Sequence, residues 1–195
     1  MSEEDARASA NGKRTMRKRL PRNPAGTRQQ IIDAAADLIA REGSGKITNR
    51  KVADYAGVSL GSTTRHFKSI DELRRAGLAE LSRRIEREYD DMFCIVAQEG
   101  HGSEMLADTV NEFLSNPQRV NADAALYAAA IEDPEVRDIT KRSFNSFLER
   151  CAPYMDIERA KILFAFIEGA VINSCFMGVP YDPEIVRLAT RLIIG

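Results

Sequence analysis

Apolar positions recur along this chain at intervals of three and four, the period of a helix with one face turned inward. Ile31, Ala35, Leu38 and Ile39 form the first such stripe. Thr27-Arg28-Gln29-Gln30 precedes it as a capping box, with the Thr side chain accepting from first-turn amides and Gln30 reaching back. Gly43 is placed to end this helix. Thr48 caps a second, short helix whose inner face is Val52, Ala53 and Ala56. Gly57 then supplies a turn, Val58 plugs into the core, Ser59 caps a third short helix and Phe67 closes the small core behind it. Ser69-Ile70-Asp71-Glu72 is a second capping box. It opens a long helix through Leu73, Gly77, Leu81, Ile85, Tyr89, Met92 and Val96, and a helix of that length is a connecting rod.

Beyond Gly100 the same period continues. Met105, Leu106, Val110, Phe113 and Leu114 mark one helix, stopped near Asn116-Pro117. Val120, Ala124, Leu126, Tyr127 and Ile131 mark the next, ended before Pro134. Val136, Ile139, Ser143, Phe144, Phe147 and Leu148 form another, broken at Pro153. Asp156 to Val179 is apolar nearly all round in its second half, and Asp182-Pro183 starts a final helix through Ile185, Leu188, Leu192 and Ile193. No strand alternation competes, so the fold expected is all-α. A helix apolar on every side is either central in a large core or covered by a second molecule. The body here is too small to surround it, so the last two helices are expected to form a homodimer interface, a four-helix bundle with the partner's pair.

Charge divides the chain. Residues 1–70 carry 14 Lys/Arg against 7 Asp/Glu, and residues 71–195 carry 14 against 22, within an overall net charge of -1. Lys13, Arg14, Arg17, Lys18, Arg19, Arg22 and Arg28 follow one another with no acid between them. An anion-binding front end on an acidic body is the natural reading, with the run a basic arm able to neutralise phosphates or enter the minor groove. The organisation expected is a disordered arm at 1–26, a DNA-binding domain at 27–72 and an effector-binding and dimerisation domain at 73–195. Cys94, Cys151 and Cys175 are widely spaced in apolar helical contexts and read as reduced core residues of a cytoplasmic protein. The start of the chain has no apolar signal run, and Ile162–Val179 is interrupted by Glu168, Gly169, Asn173 and Ser174, which argues against a membrane span. No metal-ligand spacing or Gly-rich phosphate loop is present, so neither metal nor cofactor is expected. His66 and His101 are the imidazole bases available, His101 in a Gly-flanked loop, and nothing points to an enzyme.

The segment 47–68 is a helix-turn-helix, whose second helix fits the major groove of double-stranded DNA. Its residues resemble the TetR family of bacterial transcriptional regulators. The likeness covers Thr27–Leu78: the Ala34-Ala35 pair, Ile47-Thr48, Val52-Ala53, Ala56-Gly57-Val58-Ser59, Gly61, His66-Phe67-Lys68 and Asp71-Glu72-Leu73. It implies a three-helix DNA-binding domain joined by a long helix to a helical ligand-binding and dimerisation body. It also implies phosphate contacts from Thr48 and Arg50, and from the Ser62, Thr63 and Thr64 hydroxyls where they face the DNA backbone, with Arg28, Asn49, Ser59, His66 and Lys68 at the same surface. Base edges would be read from Leu60–Arg65: Leu60 against a thymine methyl, Gly61 allowing close approach, and Arg65 able either to pair with guanine or to bind phosphate. Two positions depart from the family pattern, Thr64 where a Tyr is usual and Ile70 where a Lys is common.

The resemblance further implies a small-molecule pocket in the body. Phe93, Met105, Phe113, Tyr127, Phe144, Phe147 and Asn173 are the candidate lining residues, and the effector expected is unidentified and largely apolar. Glu168 is a candidate anchor or a partner across the dimer. The function expected is a dimeric, sequence-specific repressor released from its operator by that effector. Two alternatives stay open: an effector-independent, weakly specific DNA-binding dimer, and a ligand-binding dimer that has lost operator recognition.

Overall fold

The computed structural model describes residues 24–98 and 103–194. The basic arm as far as Asn23, His101 and the Cys94 side chain lie outside the described residues. The described chain is all-helical: α1 (Pro24–Glu42), a 3-10 turn (Ser44–Lys46), α2 (Asn49–Tyr55), α3 (Leu60–His66), α4 (Ile70–Gln98), α5 (Ser103–Leu114), α6 (Pro117–Glu132), α7 (Pro134–Cys151), α8 (Ile157–Met177) and α9 (Pro183–Ile194).

Local chemistry explains most of these boundaries. Thr48 and Ser59 accept from the amides of Lys51 and Ser62, each at 3.2 Å, and so cap α2 and α3. Gly57 takes φ 67° between them, a left-handed turn that glycine adopts without strain. Asn116, Asp133 and Asp156 cap α6, α7 and α8, and Gly178 closes α8 in the left-handed region. Both expected capping boxes are altered. α1 starts at Pro24, so Thr27 lies inside the helix, and the Gln30 amide instead donates to the Ala56 carbonyl at 2.7 Å. Ser69 does accept from the Glu72 amide at 3.1 Å, but the Glu72 carboxylate returns to the amide of Lys68 rather than of Ser69.

The first three helices wrap the N-terminal end of α4 around Ile31, Ile39, Val52, Phe67 and Leu73. α1 lies along α4 and also touches α6, so the DNA-binding end and the body share a packed boundary. Gly77 makes the α1–α4 approach possible: a Cβ there would come within 3.0 Å of Ala35 Cβ and 2.9 Å of Ile39 Cδ1. Arg84 of α4 bridges to Asp33 and Asp37 of α1, at 3.3 and 2.6 Å. Arg75 clasps Asp133 and Glu135 at the α6–α7 corner, both at 2.7 Å. In the body, Tyr89, Phe113, Phe147, Phe93 and Phe164 form one connected set of aromatic rings. Cys151 is buried as expected, and burial pushes its thiol up to about 12. Cys175 is exposed, contrary to the core reading, its Sγ lying at the surface against the Val120 carbonyl and Asn121 Oδ1 of α6, both at 3.7 Å.

Candidate functional site

α2 and α3 turn a polar surface outward. Thr48, Arg50, Ser59, Leu60, Gly61, Thr64, Arg65 and Lys68 are exposed, and Asn49, Ser62 and His66 are half-buried. Arg65 stands on the exposed face of α3 near its end, one turn from Leu60 and Gly61. A Cβ at Gly61 would meet nothing within 4 Å, so the space over that position is open to a partner. The Thr64 hydroxyl donates to the Leu60 carbonyl at 3.2 Å, a local bond that turns it back onto its own helix. Arg28 comes from α1, with its guanidinium 5.1 Å from the centre of the Phe67 ring, and this stacking places a cation beside the end of α3. Thr63 is a correction. Its exposure is 0% and it faces the three-helix core, so it is a packing residue and its hydroxyl is out of reach of a phosphate.

The aromatic candidates for an effector pocket divide. Phe93, Phe113 and Phe147 are buried in the ring cluster. Phe144 is half-buried, edge-on to Phe164 at 4.8 Å, and Met105 is half-buried against the core. Asn173 is exposed on the outer face of α8. Tyr127 lines a cavity between four helices. α4 contributes Ile85 and Tyr89 to it, α6 Asp123, Leu126 and Tyr127, α7 Thr140 and Ser143, and α8 Phe164 and Glu168. Its volume is about 10 Å³, the size of one water molecule.

Two carboxylates meet there. Asp123 is 3% exposed, and neither its Oδ2 nor Glu168 Oε2 has a hydrogen-bond partner among the described residues. Burial raises both carboxyl pKa values; the charge of Glu88 adds to the rise at Asp123, and that of Asp123 to the rise at Glu168, which the Tyr127 hydroxyl partly opposes. Tyr127 and Tyr89 are raised for the same reason, burial beside acids. No Lys or Arg lines the cavity among the described residues. Arg119, one turn before Asp123 on α6, is engaged with Glu88 at 3.0 Å, and Glu86 accepts from Ser143 at 2.7 Å. Sequence reading weighed Glu168 but passed over Asp123. The signal was an acid one turn from Val120 and from Leu126-Tyr127, on the inward face of an otherwise apolar stripe.

On the opposite side of the body, α8 and α9 expose apolar side chains. Ile162, Ile172, Phe176 and Met177 of α8 and Ile185, Leu188 and Leu192 of α9 are open to solvent, Phe176 at 88% and Leu192 at 77%. Gly169 and Ala165 lie on the same α8 stripe and keep it low. By length and composition α8 is apolar enough to cross a membrane, and a third of its most apolar stretch is buried inside the protein.

Comparison with known proteins agrees with this geometry. Residues 31–76 match the family described as bacterial regulatory proteins, tetR family. The chain is 24% identical over 178 residues to the HTH-type transcriptional regulator BetI of Cronobacter sakazakii, covering 86% of this chain and 88% of that one. A TetR-family structure from Streptomyces coelicolor superposes with a TM-score of 0.73 at 29% identity, over 87% of this chain and 98% of that chain. The multidrug binding protein EbrR, solved in complex with proflavin, superposes with a TM-score of 0.72 at 30% identity, over 86% of this chain and 99% of that chain. These likenesses run through both the helix-turn-helix and the helical body, and the chain belongs to the TetR family of bacterial transcriptional regulators.

Proposed function

We propose that this protein is a homodimeric, cytoplasmic repressor that binds a two-fold symmetric operator and releases it when a small molecule occupies the body. The observation that carries the DNA reading is the outward face of α3, where Leu60, Gly61, Thr64 and Arg65 are exposed beside the cations Arg50, Lys68 and Arg28. Such a face combines base-reading groups with phosphate-binding ones. Thr48, Arg50 and Lys68 hold the DNA backbone, Arg65 reads a guanine, and Leu60 packs on a thymine methyl. Asn49, Ser59, Ser62 and His66 stand at the rim of the same surface.

Dimerisation is supported by the apolar stripe of α8 and α9, which on a soluble DNA-binding protein needs cover. Two copies joined there form a four-helix bundle and present two recognition helices, as half-sites about one turn of DNA apart require. Repression is supported by the 27% identity to the HTH-type transcriptional repressor KstR2 of Rhodococcus jostii, over 77% of this chain. A ligand-binding body is supported by EbrR, whose structures hold proflavin, ethidium and malachite green.

Selection of bound sequences from a random DNA pool, with the purified full-length chain at moderate salt, tests this reading. A palindromic consensus is expected. Recovery of unenriched DNA would favour a weakly specific binder, and recovery of none a dimer that has lost operator recognition.

A further inference from the structure

The acidic cavity has a chemistry beyond the general expectation of a pocket. We infer that the effector is an organic cation, its charge held between Asp123 and Glu168 and its apolar part against Tyr89, Tyr127 and Phe164. This inference rests on the ligand-responsive reading of the body and names the ligand class for it.

A satisfied core would not leave these two acids as they are. A buried carboxylate is ordinarily paired with a cation or accepts several hydrogen bonds. Among the described residues Asp123 Oδ2 and Glu168 Oε2 have neither, and the Tyr127 hydroxyl bonds to the Glu168 side chain; both acids line one cavity and Asp123 is almost wholly enclosed. No described Lys or Arg lines the cavity, and Arg119, one turn before Asp123 on α6, is paired with Glu88. The site is thus short of positive charge and rich in rings. Tyr89, Tyr127 and Phe164 supply faces of the kind that attract ammonium groups and flat cations. Both carboxyls are held toward their neutral forms by burial, which is how the protein tolerates them without a cation beside them. A cation reverses that preference, and the protons leave as it enters.

The cavity is too small for any organic ligand as it stands, at about 10 Å³. Entry therefore requires α6 and α8 to part from α4, and this links the site to DNA. α4 lines the cavity through Ile85 and Tyr89 and, further toward its N-terminal end, presses Gly77 against α1. α6 lines the cavity through Asp123 and Tyr127 and also packs on α1. A ligand that binds only the parted arrangement selects against the one that fits the operator.

The test is direct binding of proflavin, a fluorescent cation, and of acridine, its uncharged analogue at pH 8, to the full-length dimer without DNA. Proflavin is expected to bind at least about tenfold more tightly and to release protons, seen as a buffer-dependent heat. Asp123→Asn and Glu168→Gln are each expected to weaken proflavin roughly ten- to a hundredfold, the loss of one charged hydrogen bond. Both replacements keep the shape of the neutral acid, and their folding is checked by Tm. Equal binding of acridine, unchanged affinity in both variants, or no proflavin binding at millimolar concentration would each overturn the inference. Operator release is then assayed with tetraphenylphosphonium, which does not intercalate. If the operator is bound but the cation neither binds nor releases it, the cation inference fails and the DNA reading stands. If cations bind but selection yields no operator, the cation site stands and the regulator reading fails.

Discussion

Thr63 and Thr64 are adjacent and chemically identical, yet one is sealed in the core and the other faces out with its hydroxyl bonded to its own helix. With α3 as the proposed recognition helix, base discrimination falls to its exposed side chains, Leu60, Thr64 and Arg65. Arg65→Ala is expected to relax preference at one operator position by about 1–3 kcal/mol while leaving the other positions unchanged, measured by affinities for a panel of single-base operator variants. A uniform loss across the panel would assign Arg65 to phosphate instead. Asp123 makes a second prediction at this scale. Its folded carboxyl pKa is raised above the ordinary value, so the native state keeps a proton that the unfolded chain gives up. Stability linked to this group is present below the ordinary carboxylate range and is lost as pH rises through the raised folded value. Asp123→Asn, permanently neutral, should match the parent near pH 4 and exceed it progressively toward pH 8 in denaturant titrations. A difference between the two that stays constant with pH would show that folding leaves the Asp123 carboxyl pKa unshifted.

At the scale of elements, the α1–α4 contact is the joint between the DNA-binding end and the rod. Gly77→Ala adds a methyl 3.0 Å from Ala35 Cβ, where a backbone atom of Ala35 also lies 3.3 Å away. Overpacking of about 1–3 kcal/mol outweighs the gain of about 1 kcal/mol in helix propensity, so a lower Tm is expected. A rise in Tm would mean that the helices part freely there. The periodicity of the sequence revealed these helices and most of their caps because both depend on neighbours along the chain. It misplaced the start of α1, since Gln30 is claimed by Ala56, 26 residues away, a partner that no local pattern shows.

At the scale of the whole molecule, the proposed operator binding requires two recognition helices at once. Phe176→Asp combined with Leu192→Asp places charges on the most exposed parts of the α8–α9 stripe and is expected to give monomers by sedimentation. Operator affinity should fall with it, because a monomer engages a single half-site. Persistence of a dimer would put the interface elsewhere. Deleting residues 1–23 removes Lys13, Arg14, Arg17, Lys18, Arg19 and Arg22 while leaving α1 whole from Pro24. Affinity for all sequences should weaken alike, and the salt slope should flatten by about 0.9 for each phosphate the arm no longer neutralises. An unchanged slope would show that the arm stays clear of the DNA backbone.

Sequence alone determined the all-helical class, the helix-turn-helix and the family, because each rests on spacing, caps and turn residues within a few positions of one another. It also marked α8 as too apolar for a lone small domain, since that is a property of composition around one helix. Tertiary structure decided which side of each helix looks where. It turned Thr63 inward, buried Phe93, Phe113 and Phe147 behind the cavity, and left Asn173 on the outer face of α8. It also brought Asp123 of α6 and Glu168 of α8 into one cavity from well-separated parts of the chain. An acid on a helix reads as solvated until a second helix covers it, and which helix does so is set by the packing of the whole body.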